Sequence, residues 1–328
     1  MHMKRVAIGI DIGGTNTVLG VVDENGDVLV KDSISTPTHG DAKKYVHSLS
    51  DSINELIDSV HKLNADAEVM GIGIGAPNGN YYKGTIEQAA NLAFKGVVPL
   101  VDMLRENFPH LKALALTNDA NAAAMGEMIY GGAKGMKNFV MITLGTGLGS
   151  GIVVNGDLVY GHDGFAGEVG HTTVIPHGRV CGCGGEGHLE AYCSAPGIKR
   201  TVFELLAKYN DGESELAKYS FGELDSKKVY EAAERGDKIA IEAFEITGEH
   251  LGQGLGDTVC HLSPEAIFLF GGPTAAGDFI FKPTKESMER HVLPIFRNKV
   301  EILPSKLKSG SAAIVGASAL VWKELEKE

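Results

Sequence analysis

The sequence has little of what membrane, secreted or nucleic-acid-binding proteins need. No apolar run approaches the ~18 residues that span a bilayer, and the first five residues, MHMKR, lead into a strand-like run rather than a signal-peptide core. The net charge is −12, and no dense Lys/Arg run offers a nucleic-acid-binding patch. We therefore expect a cytoplasmic protein with neither a membrane nor a nucleic-acid partner.

Cysteine is scarce, and two common phosphate-binding motifs are missing. Of the four cysteines, Cys181 and Cys183 are separated by one residue, which in a cytosolic chain suggests metal binding before a disulfide. The P-loop is excluded because no Gly-Lys pair occurs. The Rossmann fingerprint requires a helix after its glycines, but Gly145-Thr146-Gly147 is followed by a strand-like run, and its third glycine position is Ser150.

Glycine, in contrast, is abundant, with 43 residues, and two glycine turns belong to a repeat. Residues 8–30, IGIDIGGTNTVLGVVDENGDVLV, match residues 139–161, FVMITLGTGLGSGIVVNGDLVYG. Both run from an apolar strand through a Gly/Thr turn to a second strand, an Asn-Gly-Asp turn and a short third strand. The repeat predicts two related domains, each beginning with a three-stranded meander, with a glycine loop on each wall of a cleft between them.

The intervening segments alternate between helix and strand, which is typical of an α/β protein. Apolar residues at helical spacing predict the first helix, and apolar runs that end near Pro77 and Asp119 predict buried strands. The predicted elements are a helix over 39–64, a strand over 69–77, a helix over 97–108, a strand over 111–119 and a helix over about 121–130.

Each glycine turn is suited to binding a phosphate. Its backbone N–H groups form an anion-binding concavity, and Thr15 and Thr146 add hydroxyl donors. Asp11 would repel a phosphate directly but can hold Mg²⁺ through water, because Mg²⁺ keeps several waters and is shared between carboxylate and phosphate.

The segments DIGGTN, LGTGLGSG and IFLFGGP together resemble the sugar kinase, Hsp70 and actin superfamily. More narrowly, nearly the whole chain resembles a ROK-family sugar kinase of the glucokinase type. The resemblance implies a two-domain actin-like ATPase (ribonuclease H-like) fold that closes on ATP and Mg²⁺. The expected domains are a small one over 1–118, rejoined by a C-terminal helix over 312–328, and a large one over 119–311. The implied nucleotide contacts are Asp11, Gly13, Gly14, Thr15, Asn16, Gly145, Thr146, Gly147, Gly271 and Gly272.

Asp119 follows a predicted strand and precedes an Ala-rich helix. By itself this position favours an N-cap, although ligand sites also form at the carboxyl ends of strands. The resemblance implies that Asp119 is the catalytic base and that the sugar is bound by both domains. For Asn91, a turn or cap role is equally compatible with the sequence. The implied sugar contacts are Gly75, Asn91, Asn118, Asp119, Glu168, His171 and Glu190.

The segment from Glu168 to Cys193 is rich in glycine and metal-binding side chains. Such spacings are compatible with a tetrahedral Zn²⁺ site or with a reduced, glycine-rich surface loop. ROK kinases carry a His followed by Cys-x-Cys-Gly-x-x-Gly-Cys-x-Glu, and here His188 replaces the third cysteine. The resemblance thus implies a structural zinc site, and Cys193 and His177 are alternative ligands. The expected ligand set is His171, Cys181, Cys183 and His188.

The resemblance predicts a hexokinase-type enzyme that uses ATP and Mg²⁺, a glucokinase before the others. Kinases for N-acetylmannosamine, N-acetylglucosamine, fructose or allose are the same-class alternatives, and polyphosphate is the alternative donor. A sugar-responsive repressor would need an N-terminal helix-turn-helix, for which residues before Asp11 leave no room. The cluster of Glu168, His171 and Glu190 argues against an ATPase without a sugar substrate. We expect a homodimer, as is common in the family.

Overall fold

The computed structural model describes residues 4–37, 40–89, 92–209, 212–308 and 310–327, which form two compact units. The first unit comprises Met1–Met136, Leu158–Ala166 and Lys306–Glu328, and the second comprises Lys137–Asp157 and Gly167–Ser305. The predicted boundary between residues 118 and 119 therefore falls inside the first unit. Within the described ranges, every helix is too short or too polar to cross a bilayer.

The first unit is built on a mixed five-stranded sheet. The strands follow the order β3-β2-β1-β4-β8; β1, β4 and β8 are parallel, whereas β2 and β3 are antiparallel to their neighbours. A separate three-stranded sheet, β5-β6-β7, follows β4. The strands are β1 (Lys4–Ile12), β2 (Asn16–Asp23), β3 (Val28–Ser35), β4 (Ala67–Gly75), β5 (Gly79–Asn80), β6 (Thr85–Glu87), β7 (Val97–Val98) and β8 (Ala113–Thr117). The helices of this part of the chain are α1 (Ala42–Leu63), α2 (Leu100–Asn107) and α3 (Asp119–Ile129).

The second unit repeats this sheet. Its strand order, β11-β10-β9-β12-β13, has the same pattern of two antiparallel followed by two parallel neighbours. The predicted duplicated meander is therefore confirmed. The strands are β9 (Phe139–Leu144), β10 (Leu148–Val154), β11 (Asp157–Leu158), β12 (Ala266–Phe270) and β13 (Glu301–Pro304). The helices are α4 (Glu190–Cys193), α5 (Ala195–Tyr209), α6 (Ser226–Glu234), α7 (Lys238–Leu262) and α8 (Asp278–His291).

The last helix, α9 (Ala312–Leu325), returns to the first unit. It packs directly on strand backbone, since a Cβ at Gly73 of β4 would lie 1.9 Å from the carbonyl oxygen of Ala317. On the other side, α1 and α2 contribute buried apolar residues such as Leu49 and Leu104 to a core shared with β1 and β4. The first sheet is thus covered by helices on both faces, as its nearly continuous apolar strands require.

Candidate active site

Asp11, Gly75 and Thr117 lie side by side at one edge of the first sheet. In the parallel register, Asp11 of β1 is opposite Gly75 of β4, and Gly75 is opposite Thr117 of β8. Asn118 and Asp119 follow directly at the same edge. The carboxyl ends of parallel strands are the usual ligand-binding edge of an α/β sheet, so the predicted acidic residues gather where a ligand would bind.

Helix α3 starts at this edge, and its N-cap is Asn118 rather than Asp119. The side chain of Asn118 accepts a hydrogen bond from the backbone N–H of Asn121 at 2.6 Å. Asp119 is the first helical residue, and its Oδ1 accepts from the N–H of Ala120 at 2.9 Å. The capping role that the sequence favoured for Asp119 is therefore performed by its neighbour.

The two carboxylates at this edge have raised pKa values. Burial, and secondarily the negative charge of Asp119, raise the pKa of Asp11 to about 6. The protein atoms around Asp119 raise its pKa as well, although its side chain is accessible to solvent. Perturbed carboxylates at the ligand-binding edge of a sheet are typical of functional sites, and a cation beside Asp11 would relieve the repulsion between the two groups.

Gly75 leaves space beside the start of α3. A Cβ at this position would lie 3.3 Å from the Cβ of Ala122 and 3.6 Å from the Cα of Asp119. A ligand can therefore approach the backbone of β4 next to the Asp119 carboxylate. Asn91, the other predicted sugar contact in this part of the chain, lies outside the described residues.

The first glycine loop is a tight turn between β1 and β2. The N–H of Gly13 donates to the carbonyl oxygen of Asn16 at 3.0 Å, and the N–H of Thr36 donates to the carbonyl oxygen of Thr15 at 2.9 Å. Thr15 and Asn16 are exposed and Gly14 is half-buried. The loop is thus shaped by its own backbone, while its tip faces solvent, where a phosphate can reach it.

The second glycine loop joins β9 to β10, and Gly271 lies against its base. Within the loop, the N–H of Gly145 donates to the carbonyl oxygen of Gly147 at 2.9 Å. Gly271 has a φ of 115°, and a Cβ there would lie 2.0 Å from the carbonyl oxygen of Leu144. Only glycine fits this approach, so the structure brings together loop 145–147 and Gly271, followed by Gly272.

Four predicted metal ligands converge in the second unit. The candidate ligand atoms of His171, Cys181, Cys183 and His188 all lie within 4.8 Å of one another. Sγ of Cys181 is 3.9 Å from Nδ1 of His171, and Sγ of Cys183 is 3.2 Å from Nδ1 of His188. Tetrahedral zinc with ordinary bond lengths separates a sulfur and a nitrogen ligand by about 3.5 Å. The residues present therefore fit a four-coordinate zinc ion.

The alternative ligands lie elsewhere. Cys193 is fully buried, and its thiol donates to the carbonyl oxygen of Thr247 at 3.5 Å. His177 is exposed, with Nδ1 3.9 Å from a carboxylate oxygen of Glu186. The geometry thus selects His188, rather than Cys193 or His177, to stand where the family pattern has a third cysteine.

The two ring nitrogens of His171 face different groups. Nδ1 faces Cys181, whereas Nε2 lies 3.8 Å from a carboxylate oxygen of Glu168. Both residues belong to a segment held by Ser150, which is 2% exposed. Its Oγ donates to the carbonyl oxygen of Gly167 and accepts from the N–H of Val169 at 3.1 Å. Ser150, which sequence reasoning used only to reject a Rossmann motif, therefore positions Glu168.

Glu190 is the first residue of α4, and its two carboxylate oxygens have different neighbours. Oε2 accepts a hydrogen bond from the N–H of Leu148, directly after the second glycine loop, at 2.9 Å. Oε1 lies 3.4 Å from Sγ of Cys181. The predicted sugar-binding carboxylate therefore contacts both the glycine loop and the metal-ligand cluster, which the sequence did not indicate.

Sequence reasoning also missed Arg179, which anchors the metal-binding loop to α4 and α5. Its guanidinium donates to the carbonyl oxygens of Ala191 and Gly197, each at 3.2 Å, and to Oγ1 of Thr201 at 3.0 Å. It also lies 4.6 Å from the ring centroid of Tyr192. A lone arginine in a glycine-rich segment carries no signal of this role, because all of these partners are 12 to 22 residues away.

The chain is similar to known sugar kinases along nearly its whole length. Residues 7–324 match the ROK family. A glucokinase of Halalkalibacterium halodurans is 34% identical, with 98% of this chain and 96% of the relative covered. The structure of a ROK family glucokinase from Streptomyces griseus, in complex with glucose and AMPPNP, superposes with a TM-score of 0.78 at 31% identity, covering 97% of this chain and 99% of that one.

Regulators also match, at lower identity. The xylose repressor of Caldicellulosiruptor bescii is 29% identical over 97% of this chain and 78% of the relative. The structural similarity to the S. griseus kinase confirms the predicted fold class, the actin-like ATPase fold of the sugar kinases. With a family match that spans residues 7–324, the chain belongs to the ROK family.

Proposed function

We propose that this protein is a glucokinase, which transfers the γ-phosphoryl group of ATP to glucose and yields glucose 6-phosphate and ADP. The observation that carries the proposal is the placement of Asp11, Gly75 and Asp119 at the ligand-binding edge of the first sheet. The glucokinase of H. halodurans, and the S. griseus glucokinase that holds glucose and AMPPNP, support the choice of sugar and donor.

In this proposal Asp119 is the catalytic base. A sugar hydroxyl is too weak an acid to be deprotonated by a carboxylate before the reaction begins. In a loose phosphoryl-transfer transition state, Asp119 orients the hydroxyl and accepts its proton while the O–P bond forms. Asn118 caps the helix through its Oδ1 and can donate from its amide nitrogen to another hydroxyl. Positioning and general-base assistance together account for most of the expected rate, the latter contributing roughly 10²–10⁴-fold.

The two glycine loops bind the phosphates of ATP. Thr15 and Thr146 are exposed at their tips, next to backbone N–H groups that can approach phosphate oxygens without steric interference. Asp11 holds Mg²⁺, which supplies positive charge to the phosphoryl group during transfer. The raised pKa of Asp11 and its proximity in charge to Asp119 support this assignment, because both make a cation favourable there.

Glucose is selected by groups that accept hydrogen bonds. Glu168, His171 and Glu190 supply these groups from the second unit, and Gly75, Asn91 and Asn118 supply contacts from the first. Buried acceptors left unpaired reject a sugar that lacks the matching hydroxyl. The structure supports a shared role for Glu168 and His171, since Nε2 of His171 faces the Glu168 carboxylate.

The Zn²⁺ ion is structural in this proposal. Four protein ligands, His171, Cys181, Cys183 and His188, leave no open coordination position for substrate or water. The ion would fix the loop from which Glu168 and Glu190 reach the sugar. We also propose a cytoplasmic homodimer.

A coupled assay across a panel of sugars and phosphoryl donors tests the function. We expect the highest kcat/KM for glucose with ATP and Mg²⁺, and much lower values for N-acetylmannosamine, N-acetylglucosamine, fructose and allose. Polyphosphate in place of ATP tests the donor. Turnover of another sugar at a higher kcat/KM would keep the kinase and change its substrate, whereas phosphoryl transfer to none of them would refute the proposed reaction.

A sugar-responsive regulator without catalysis is the second candidate. The similarity to the C. bescii xylose repressor over 97% of this chain favours it. Calorimetric titration of glucose separates the two candidates, because a regulator of this kind would bind the sugar but leave ATP unchanged in the coupled assay.

A further inference from the structure

The second glycine loop is held at both ends by one short segment of the chain. At its start, the carbonyl oxygen of Gly145 accepts from the N–H of Ala195 at 2.9 Å. At its end, the N–H of Leu148 donates to Oε2 of Glu190 at 2.9 Å. Residues 190–195 therefore fix the loop from outside, in addition to the internal bond between Gly145 and Gly147.

The Glu190 carboxylate also packs against the loop. A Cβ at Gly147 would lie 2.5 Å from Oε2 of Glu190, so the carboxylate occupies the space that any larger residue at 147 would need. The other oxygen, Oε1, lies 3.4 Å from Sγ of Cys181. Contacts on both oxygens restrict the rotation of the carboxylate, and a hydrogen bond to a charged acceptor is among the stronger ones in proteins.

We propose that Glu190 is a positioning residue for the nucleotide, in addition to its proposed contact with the sugar. It holds the N–H of Leu148 and thereby keeps loop 145–147 in the shape that receives the ATP phosphates, whether or not a sugar is bound. This inference rests on the proposed function, since it assumes that the loop binds ATP.

The charge of Glu190 determines how it can act. A carboxylate near a phosphate-binding loop repels the phosphates, so its favourable effect on nucleotide binding must come from the hydrogen bond to Leu148. Glutamine keeps an oxygen that can accept this bond but removes the charge. Alanine removes the bond, and aspartate keeps the charge on a side chain that is one methylene too short to reach. The three substitutions therefore separate the hydrogen bond from the charge.

The test is calorimetric titration of the magnesium complex of a nonhydrolysable ATP analogue in the absence of sugar. We expect Glu190→Ala to raise the Kd about tenfold, the loss that a hydrogen bond to a charged group typically causes. Glu190→Asp should give a similar loss. Glu190→Gln should bind within about twofold of the wild type or more tightly, and the control Glu186→Ala, which removes an exposed carboxylate from the same loop, should also stay within about twofold.

The possible results decide between the inference and the function on which it rests. If the wild type binds the analogue and Glu190→Ala and Glu190→Asp bind it equally well, Glu190 is not a positioning residue and only this inference fails. The same holds if Glu190→Gln loses as much affinity as alanine. If the wild type itself does not bind the analogue, both the inference and the proposed function are refuted. Circular dichroism and zinc content establish that each variant is folded, and Glu190→Gln, the most conservative change, keeps the comparison valid if alanine unfolds the loop.

Discussion

Replacing Asp11 by asparagine should stabilise the first unit and abolish activity. Asp11 lies at the end of β1 beside Asp119, and burial together with that neighbouring charge raises its pKa from 3.8 to about 6. An ionised carboxylate in this position therefore costs free energy in the folded chain. Asparagine has nearly the same shape and no charge, so it removes the cost, but it also removes the proposed magnesium ligand.

The size of the effect follows from the pKa. Each tenfold change in proton affinity corresponds to about 1.4 kcal/mol, so the rise to about 6 corresponds to about 3 kcal/mol above pH 7. Asp11 is only partly buried and shares the effect with Asp119, and water screens part of it. We therefore expect Asp11→Asn to raise the free energy of unfolding by about 1–2 kcal/mol.

The sign of the pH dependence is opposite to that of a salt-bridged aspartate. Below about pH 4 the carboxyl group is protonated in both the folded and the unfolded chain, and it contributes nothing. As the pH rises to about 6, the unfolded chain ionises first, and the destabilisation grows to its full value. The advantage of Asp11→Asn should therefore be about half as large at pH 5 as at pH 7.5.

Urea denaturation followed by tryptophan fluorescence measures this difference in the right place. The sequence has one tryptophan, Trp322, and it lies in α9 of the first unit. Asp27→Asn, which changes an exposed carboxylate in the same unit, is the matched control. An unfolding free energy of Asp11→Asn equal to or below that of the wild type at pH 7.5 would refute the reasoning, as would retention of more than about one hundredth of the kinase activity.

Three further substitutions test other parts of the proposed site. Asp119→Asn should fold normally and lower kcat by at least about a hundredfold; a variant that keeps most of its turnover would exclude Asp119 as the base. Cys183→Ser should lose zinc, measured by elemental analysis, and unfold roughly 5 °C lower or more, since structural zinc contributes to folding, whereas Cys260→Ser, at an exposed cysteine outside the cluster, should keep both; a zinc-free wild type would overturn the site. Ser150→Ala should destabilise the second unit by about 1–2 kcal/mol and raise the KM for glucose more than that for ATP, and equal changes in the two KM values would contradict its role in positioning Glu168.

Local patterns in the sequence were sufficient to predict the duplicated meander. The Asn25-Gly26 and Asn155-Gly156 turns both adopt the positive φ values that Asn and Gly favour; Gly26 and Gly156, for example, have φ of 87° and 86°. Helix α1 begins within three residues of its predicted start because the apolar spacing is strong. The sheet β5-β6-β7 gave no signal, since strands of two or three residues are too short to show a period.

The parts of the site that depend on distant contacts could not be predicted. Asn118 and Asp119 are both good caps, so only the bond to Asn121 shows which of them closes the helix. The contact of Glu190 with the N–H of Leu148 spans 42 residues and involves a backbone group, which leaves no mark on the sequence. Sequence motifs therefore identified which residues belong to the site but not how these residues hold one another in place.

The first unit is assembled from both ends of the chain, which has a consequence for how the protein is made. Strand β4 contacts α9 at Gly73 and Ala317, so a translating ribosome exposes one apolar face of the first sheet until almost all of the chain has emerged. The second unit is nearly continuous in sequence, and its long-range contacts close shorter loops. We therefore expect it to mature first during synthesis, while the nascent first unit is the stage most dependent on chaperones.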